Sequence, residues 1–193
     1  MFLSPRFKKD ALISLFIIVG IYTITHNPLT RPTPKPEPGL WSIQFMQHPL
    51  LFGLAGHNYL VLRDENGSIV KELHGLATDK ETYTWKYIGT RGTDLLQVWE
   101  FTGPRNYLSS KQYPGVVLTQ GHETAMEATW SKGEDCVSEI NKKQIPYPPF
   151  GISIKGETEN SNSVAYTLAL CMNLDPHHIG IFTPGSQKNL LAN

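Results

Sequence analysis

Two histidines and one serine are the side chains of this chain whose types and spacing could carry out acyl transfer. His57 and His74 lie on the two arms of a predicted hairpin, and Ser161 lies in the polar stretch 160–163, "NSNS". A neutral imidazole, with an unperturbed pKa of about 6.5, acts as a general base near neutral pH when a second polar group orients it. A serine hydroxyl needs such a base before it can attack. The three residues therefore predict a site in which Ser161 attacks, His57 moves the proton and His74 orients His57.

The register of the hairpin around Asn66-Gly67 decides whether the two histidines meet. A loop of two or four residues puts His57 and His74 on one face, with Cβ atoms roughly 4.5 to 8 Å apart, whereas a three-residue loop separates them. On a shared face, either His74 or Glu72 could orient His57. The alternative is structural: His57 begins a strand, half exposed, and His74 ends one near solvent.

The "NSNS" stretch stands directly before an apolar helical run, 164–172. Backbone N–H groups in the first turn of a helix, together with the helix dipole, stabilise negative charge. A serine there can be assisted as a nucleophile, and N–H groups near Asn162 and Ser163 could hold the oxyanion. Asn and Ser are also the preferred helix caps, so the stretch is equally compatible with Asn160 and Ser161 acting only as caps.

These residues must be positioned by strands and helices, and the sequence pattern predicts an α+β domain over residues 40–193. We expect an antiparallel sheet from strands at 40–46, in the hairpin 56–75, at 94–101 and at 115–120. The segment 122–144, interrupted by Gly133, predicts one broken or two short helices, and 160–172 predicts a further helix. Strands followed by helices are typical of α+β proteins, so we expect the sheet to pack against two or three helices.

The order of these pieces resembles the circularly permuted papain-like fold, in which the histidine strand precedes the nucleophile helix. "GHNYLVLRD" resembles the histidine strand, and "ENSNSVAYTLAL" resembles the "NCN" helix start of PPPDE isopeptidases with serine in place of cysteine. His57, His74 and Ser161 follow the His, His, Cys order of the lecithin:retinol acyltransferase-like members. The "NSNS" signature is also similar to that of uncharacterised bacterial proteins. The resemblance implies an amidase, peptidase or acyl hydrolase, or a scaffold that has lost its chemistry, because serine is a weaker nucleophile than a thiolate.

The first 26 residues predict a membrane segment, either a signal anchor or a signal peptide. Three basic residues precede the apolar run "ALISLFIIVGIYTI" at 11–24. The run covers roughly 21 Å as a helix, which is short for a 30 Å hydrocarbon core and typical of a signal peptide. Its exit lacks an A-x-A-like cleavage site, which favours an uncleaved anchor that contacts the lipid bilayer through residues 11–25.

The residues after the membrane segment predict a spacer and an orientation. Residues 27–39 contain five prolines, which favour an extended, semi-rigid linker. The basic residues before the apolar run favour a cytoplasmic N-terminus. We therefore expect a single-pass protein with its C-terminal domain outside the cytoplasm, on the periplasmic side in a bacterium; the alternative is secretion after cleavage.

Charge and cysteine content narrow the classes of partner. The 17 basic and 17 acidic residues give no basic surface for nucleic acid, and we expect no nucleic-acid partner. His122 could cap a helix or bind a metal with Glu123, but neighbouring helical residues do not share a face, which favours a structural role. His177 and His178 have no third ligand at useful spacing, so we expect no metal or cofactor. Cys136 and Cys171 could form a disulfide in an oxidising compartment, or could be buried apolar residues.

The sequence therefore predicts a membrane-anchored extracytoplasmic hydrolase or acyltransferase that acts on an amide or ester, with a cell-envelope molecule as a candidate substrate because of location. The alternative is a non-catalytic, envelope-associated binding domain on the same scaffold.

Overall fold

Strands come first in the chain and helices follow, as the sequence predicts. The computed structural model describes residues 36–50, 55–86, 88–103, 113–153, 158–176 and 183–192. The strands are β1 (Trp41–Leu50), β2 (Ala55–Arg63), β3 (Ile69–Thr78), β4 (Trp85–Lys86), β5 (Leu95–Thr102) and β6 (Gly115–Gly121). The helices are α1 (Glu123–Lys142) and α2 (Ser161–Cys171), with a 3-10 turn at Pro149–Gly151 between them. The predicted α+β class is confirmed.

The predicted membrane segment, 1–26, and most of the linker lie outside the described residues. Within the part of the chain that the structure describes, no helix is long and apolar enough to cross a membrane.

All strand pairs of the sheet are antiparallel, in the order β4, β3, β2, β1, β6, with β5 paired to β3. The pairing of β2 with β3 covers only the segment from Leu60 to Arg63. Nearer the start of β2, the backbone N–H of Asn58 donates instead to the side chain of Asn162 in α2, at 2.8 Å. The start of α2 is therefore attached to β2 where the pairing of that strand with β3 stops.

The hairpin between β2 and β3 contains an irregularity that restores the register. The N–H of Asp64 donates to the carbonyl of Ser68 at 3.0 Å, which closes a three-residue loop, and Gly67 adopts φ +79°. Such a loop was expected to separate the histidines. A register shift between Leu62 and Arg63 corrects the offset, so that Leu60 pairs with Leu73. The face shared by His57 and His74 is thus produced by a β-bulge and not by an even-numbered loop.

One face of the sheet packs against both helices and forms the main core. Its members are buried apolar side chains from four strands and two helices, including Ile43, Phe45, Leu60, Leu62, Leu73, Leu96, Trp130, Ile140, Val164 and Leu168. The opposite face carries a smaller cluster of Met46, Tyr59, Val61 and Tyr113. Alternation along β2 and β3 therefore directs neighbouring residues to two different environments.

Helix α1 is continuous over 20 residues, so the predicted break at Gly133 is wrong. A Cβ at Gly133 would lie 2.2 Å from the Cε of Met172, just beyond the end of α2. The glycine allows the two helices to approach closely, and this packing accounts for a residue that the sequence pattern suggested was a helix breaker.

A disulfide between Cys136 and Cys171 joins α1 to the last residue of α2, with Cα atoms 6.5 Å apart. Of the two alternatives left open for these cysteines, the structure has the paired one.

Candidate active site

The two histidines and a glutamate form a chain of side-chain contacts on the sheet face opposite the helices. His57 Nε2 lies 3.0 Å from His74 Nδ1, and His74 Nε2 lies 3.3 Å from Glu72 Oε2. His74 and Glu72 are fully buried, and His57 is 7% exposed. We call this chain the relay. The expected shared face is observed, and Glu72 contacts His74 rather than His57.

Aromatic rings fix the orientation of the relay. The ring of Tyr59 stacks on that of His74 with centroids 4.5 Å apart, and the His57 ring stacks on Tyr59 at 5.8 Å. Phe101 of β5 meets His74 edge-on at 5.7 Å. These planar contacts restrict the rotation of both imidazoles.

The charge next to the relay gives it a direction. Burial lowers the pKa of Arg63, and Glu72 is among the groups that raise it again, so the two charges stabilise one another. With Glu72 ionised, His74 Nε2–H would donate to its carboxylate, and His74 Nδ1 would then accept from His57 Nε2–H. In that tautomer the basic nitrogen of His57 would be Nδ1.

The start of α2 is capped by Asn160, so Ser161 is the first helical residue and not the cap. Asn160 Oδ1 accepts from the N–H groups of Asn162, at 2.8 Å, and Ser163, at 3.4 Å. Ser163 Oγ accepts from the N–H of Asn160 at 3.2 Å, which completes a capping box. The prediction that the N–H groups of Asn162 and Ser163 hold an oxyanion is therefore wrong, because the cap already uses them.

Other atoms of the same residues bind the C-terminal segment, 183–192. The amide nitrogens of Asn160 and Asn162 donate to the carbonyl of Pro184 at 3.0 and 3.2 Å, and Ser163 Oγ donates to that of Gly185 at 3.0 Å. Asn160 also donates to the carbonyl of Gly151 at 2.7 Å. Three of the four "NSNS" side chains thus hold backbone, whereas the Ser161 side chain interacts with the side chain of Tyr147.

Ser161 lines a small cavity of about 60 Å³ between α2, the start of β2 and the 3-10 turn. Ser161 is 5% exposed. Its own N–H donates no hydrogen bond within the described chain. The described residues around this cavity are mostly apolar: Leu50, Ala55, Gly56, Ile88, Tyr147, Phe150, Gly151, Ile152, Asn160, Asn162 and Pro184.

The structure brings the two histidines together but does not bond Ser161 to either of them within the residues described. Residues 74 and 75 of β3 point to opposite faces of the sheet. A Cβ at Gly75 would lie 2.9 Å from the Cα of Ser161, whereas His74 points into the relay. The His74 ring and the Ser161 backbone therefore lie on different faces of β3.

The backbones that carry His57 and Ser161 are nevertheless adjacent. Gly56, directly before His57, lines the same cavity as Ser161, and Asn58, directly after it, is bonded to Asn162. His57, the last residue of the relay, thus stands in β2 between Gly56, which lines the cavity, and Asn58, which is bonded to the start of α2.

Of the histidines outside the relay, the sequence singled out His122, His177 and His178. His122 precedes α1 without a side-chain capping bond. Among the described residues, no group of three His, Cys, Asp or Glu side chains could hold a metal ion. His177 and His178 lie outside the described residues.

Sequence reasoning missed Tyr147, which is 8% exposed and contributes to the wall of the cavity. It stands in "IPYPPFG", where neighbouring prolines suggest only an extended connection. No spacing rule links it to Ser161, because the turn that places it is set by tertiary contacts.

Searches against protein families, curated proteins and solved structures give no match to this chain.

Proposed function

We propose that the domain is a hydrolase or acyltransferase that acts on an amide or ester, on a scaffold of the permuted papain-like kind. The observation that carries the proposal is that Ser161 lines a largely apolar cavity together with Gly56, the residue directly before His57, while His57 belongs to a buried Glu72–His74–His57 relay on the other face of the sheet. Burial of three polar side chains in an apolar face has a desolvation cost, which a functional role would explain.

In the proposed reaction, Ser161 Oγ bonds to the carbonyl carbon while its proton passes to His57 Nδ1, and the carbonyl π electrons move to oxygen. Collapse of this intermediate breaks the bond to the leaving nitrogen or oxygen, which takes the proton from His57. Water, or an acceptor alcohol or amine, then attacks the acyl-serine by the same steps. Because the relay and Ser161 lie on different faces of the sheet, this reaction requires the start of β2 to turn when substrate binds, so that His57 Nδ1 reaches Ser161 Oγ.

A comparison of the four "NSNS" side chains supports Ser161 as the nucleophile. The side chains of Asn160, Asn162 and Ser163 bind backbone groups, so their types follow from the fold. Ser161 instead lines the cavity together with Tyr147, whose side chain it contacts. A polar side chain that the backbone does not use, in a largely apolar cavity, is a candidate for contact with a ligand.

The proposed location is outside the cytoplasm, with residues 11–25 anchored in the lipid bilayer and a cell-envelope molecule as substrate. The disulfide between Cys136 and Cys171 supports an oxidising compartment, since cytosolic thiols are usually kept reduced.

A second candidate function is a non-catalytic, envelope-associated binding domain that uses the same cavity. It is favoured by one observation: the side-chain neighbour of Ser161 is Tyr147 rather than a histidine. In that case the cavity binds a ligand without turnover.

The test is turnover of a panel of amide and ester substrates by wild type, Ser161→Ala and Ser163→Ala. We expect Ser161→Ala to lose at least about 10³-fold in kcat with little change in stability. Ser163→Ala is the matched control: it should lose about 1 kcal/mol of stability through the capping box and keep its kcat. Equal turnover by wild type and Ser161→Ala, or no turnover by wild type on the panel, would contradict the enzyme proposal and favour the binding domain.

A further inference from the structure

Tyr147 presents a buried hydroxyl to the candidate nucleophile. The residue is 8% exposed, lines the cavity and interacts through its side chain with Ser161. Its backbone is fixed by a hydrogen bond from its N–H to the carbonyl of Asp94, at 2.8 Å. The hydroxyl is therefore held at the cavity by an anchored segment.

Asp94 is itself held in place, so the anchor of Tyr147 is rigid. Its side chain accepts from Lys86 Nζ at 2.6 Å and from the N–H groups of Thr90 and Arg91 at 3.2 and 3.3 Å. These hydrogen bonds fix the loop before β5, and with it the Asp94 carbonyl that accepts from the Tyr147 N–H.

Two glycines leave the space that the Tyr147 side chain occupies. A Cβ at Gly89 would lie 2.5 Å from Tyr147 Cδ1, so any other residue there would displace the ring. A Cβ at Gly151 would lie 3.3 Å from the hydroxyl oxygen, and Gly151 has φ +73°, which favours glycine. The Tyr147 ring therefore lies against Gly89 and Gly151, at positions where a larger residue would collide with it.

The hydroxyl has the chemistry of a hydrogen-bond donor at neutral pH. Burial raises the pKa of Tyr147, and the contact with Ser161 offsets part of that rise. A neutral phenol keeps its proton and donates it in a hydrogen bond without transferring it.

The developing oxyanion needs such donors. When Ser161 Oγ bonds to a carbonyl carbon, the charged oxygen lies two bonds from Oγ, within reach of groups that contact the serine. The N–H groups of Asn162 and Ser163 already donate to Asn160 Oδ1. The Ser161 N–H has no such acceptor in the described chain and can supply one donor, and one donor usually leaves an oxyanion incompletely stabilised.

We propose that Tyr147 is a catalytic residue whose hydroxyl, together with the backbone N–H of Ser161, holds the oxyanion formed when Ser161 attacks the substrate. The inference rests on the proposed function. No proton leaves Tyr147 in this step: the hydroxyl donates a hydrogen bond as the charge forms and releases it when the leaving group departs.

The test compares Tyr147→Phe with Tyr166→Phe, which removes a hydroxyl from a half-buried tyrosine of α2 outside the cavity lining. We expect Tyr147→Phe to lower kcat by about 10²- to 10³-fold with KM nearly unchanged, because a donor that acts in the transition state contributes little to ground-state binding. Tyr166→Phe should keep wild-type kcat.

A second variant guards against failure of Tyr147→Phe to fold. Replacement of Tyr147 by 3-fluorotyrosine keeps the ring and the hydroxyl but makes the hydroxyl more acidic, and kcat should change measurably if the hydroxyl donates to the oxyanion. If Ser161→Ala is inactive while Tyr147→Phe and the fluorinated protein both keep wild-type kcat, the role of Tyr147 is overturned and the proposed function stands. If wild type does not turn over, or Ser161→Ala equals wild type, the proposed function itself fails.

Discussion

The start of α2 and the relay are both buried and polar, yet they use their side chains differently. In α2, Asn160, Asn162 and Ser163 bind backbone N–H and carbonyl groups of their own helix, of the 3-10 turn and of the C-terminal segment. In the relay, side chains contact one another across β2 and β3. The first arrangement connects parts of the chain that are distant in sequence, whereas the second joins strands that the sheet already holds together.

Because of this difference, substitutions in the two regions should affect different properties, namely stability and activity. Removal of a side chain that satisfies buried backbone leaves donors and acceptors without partners, which costs about 1 to 3 kcal/mol for each group. Replacement of a whole buried ionic chain by apolar residues of similar volume often leaves the free energy of unfolding unchanged. We therefore expect variants of Asn160, Asn162 and Ser163 to lower the free energy of unfolding and matched variants in the relay to lower turnover.

The largest stability effect should come from the other end of α2, where Cys171 binds Cys136 of α1. The disulfide closes a loop with a sequence separation of 35 residues. Loss of this constraint should cost about 3 to 4 kcal/mol of unfolding free energy. Urea unfolding of the Cys136→Ser/Cys171→Ser variant measures it, and reduced wild type should match that variant. An unchanged midpoint in both would show that the bond does not constrain α2.

The next effect is expected at Asn160. Asn160→Ala removes the cap and both donors to backbone carbonyls, and should cost about 2 to 3 kcal/mol. Asn160→Ser keeps a capping oxygen but loses the donors to Gly151 and Pro184, so its stability should be intermediate. Chemical denaturation of the three proteins gives the order. Equal stability of Asn160→Ala and wild type would contradict a structural role for the "NSNS" amides.

The smallest stability effect is expected in the relay. The double variant Glu72→Met/His74→Phe should stay within about 1 kcal/mol of wild type, because it removes the buried carboxylate together with the imidazole that it contacts, and Arg63 keeps its hydrogen bonds to Gln44 and to the carbonyl of Gly67. His74→Phe alone should be less stable than the double variant, since it takes the imidazole partner away from Glu72. Both should lose about 10²- to 10⁴-fold in turnover through the loss of oriented base catalysis. A double variant as unstable as Asn160→Ala would mean that the relay serves the fold.

The strands and the pairing of histidines could be predicted from alternation and turn signals, but the register could not. The Asn66-Gly67 pair indicates a hairpin, yet the loop has three residues and the register shift at Leu62 and Arg63 restores the alignment. A bulge has no fixed sequence signature, because it depends on twist and on packing of both faces.

Of the three predicted site residues, the structure brings His57 and His74 together and leaves Ser161 on the other face of the sheet. Asn160 as cap follows from helix-start preferences. The role of Gly133 and the position of Tyr147 do not, because each depends on a residue distant in the chain: Met172 in one case and Asp94 in the other. The relation between Ser161 and His57 likewise depends on how α2 is attached where the pairing of β2 with β3 stops.

The most direct test of the central claim is covalent labelling by a fluorophosphonate, a probe that reacts with activated serines. We expect wild type to be labelled at Ser161, found by mass spectrometry of the peptide that contains residues 159–172, with labelling slowed in the double relay variant. Ser161→Ala should not be labelled, and Ser163→Ala should react as wild type does. No labelling of folded wild type, or labelling at the same rate without the relay, would contradict the account.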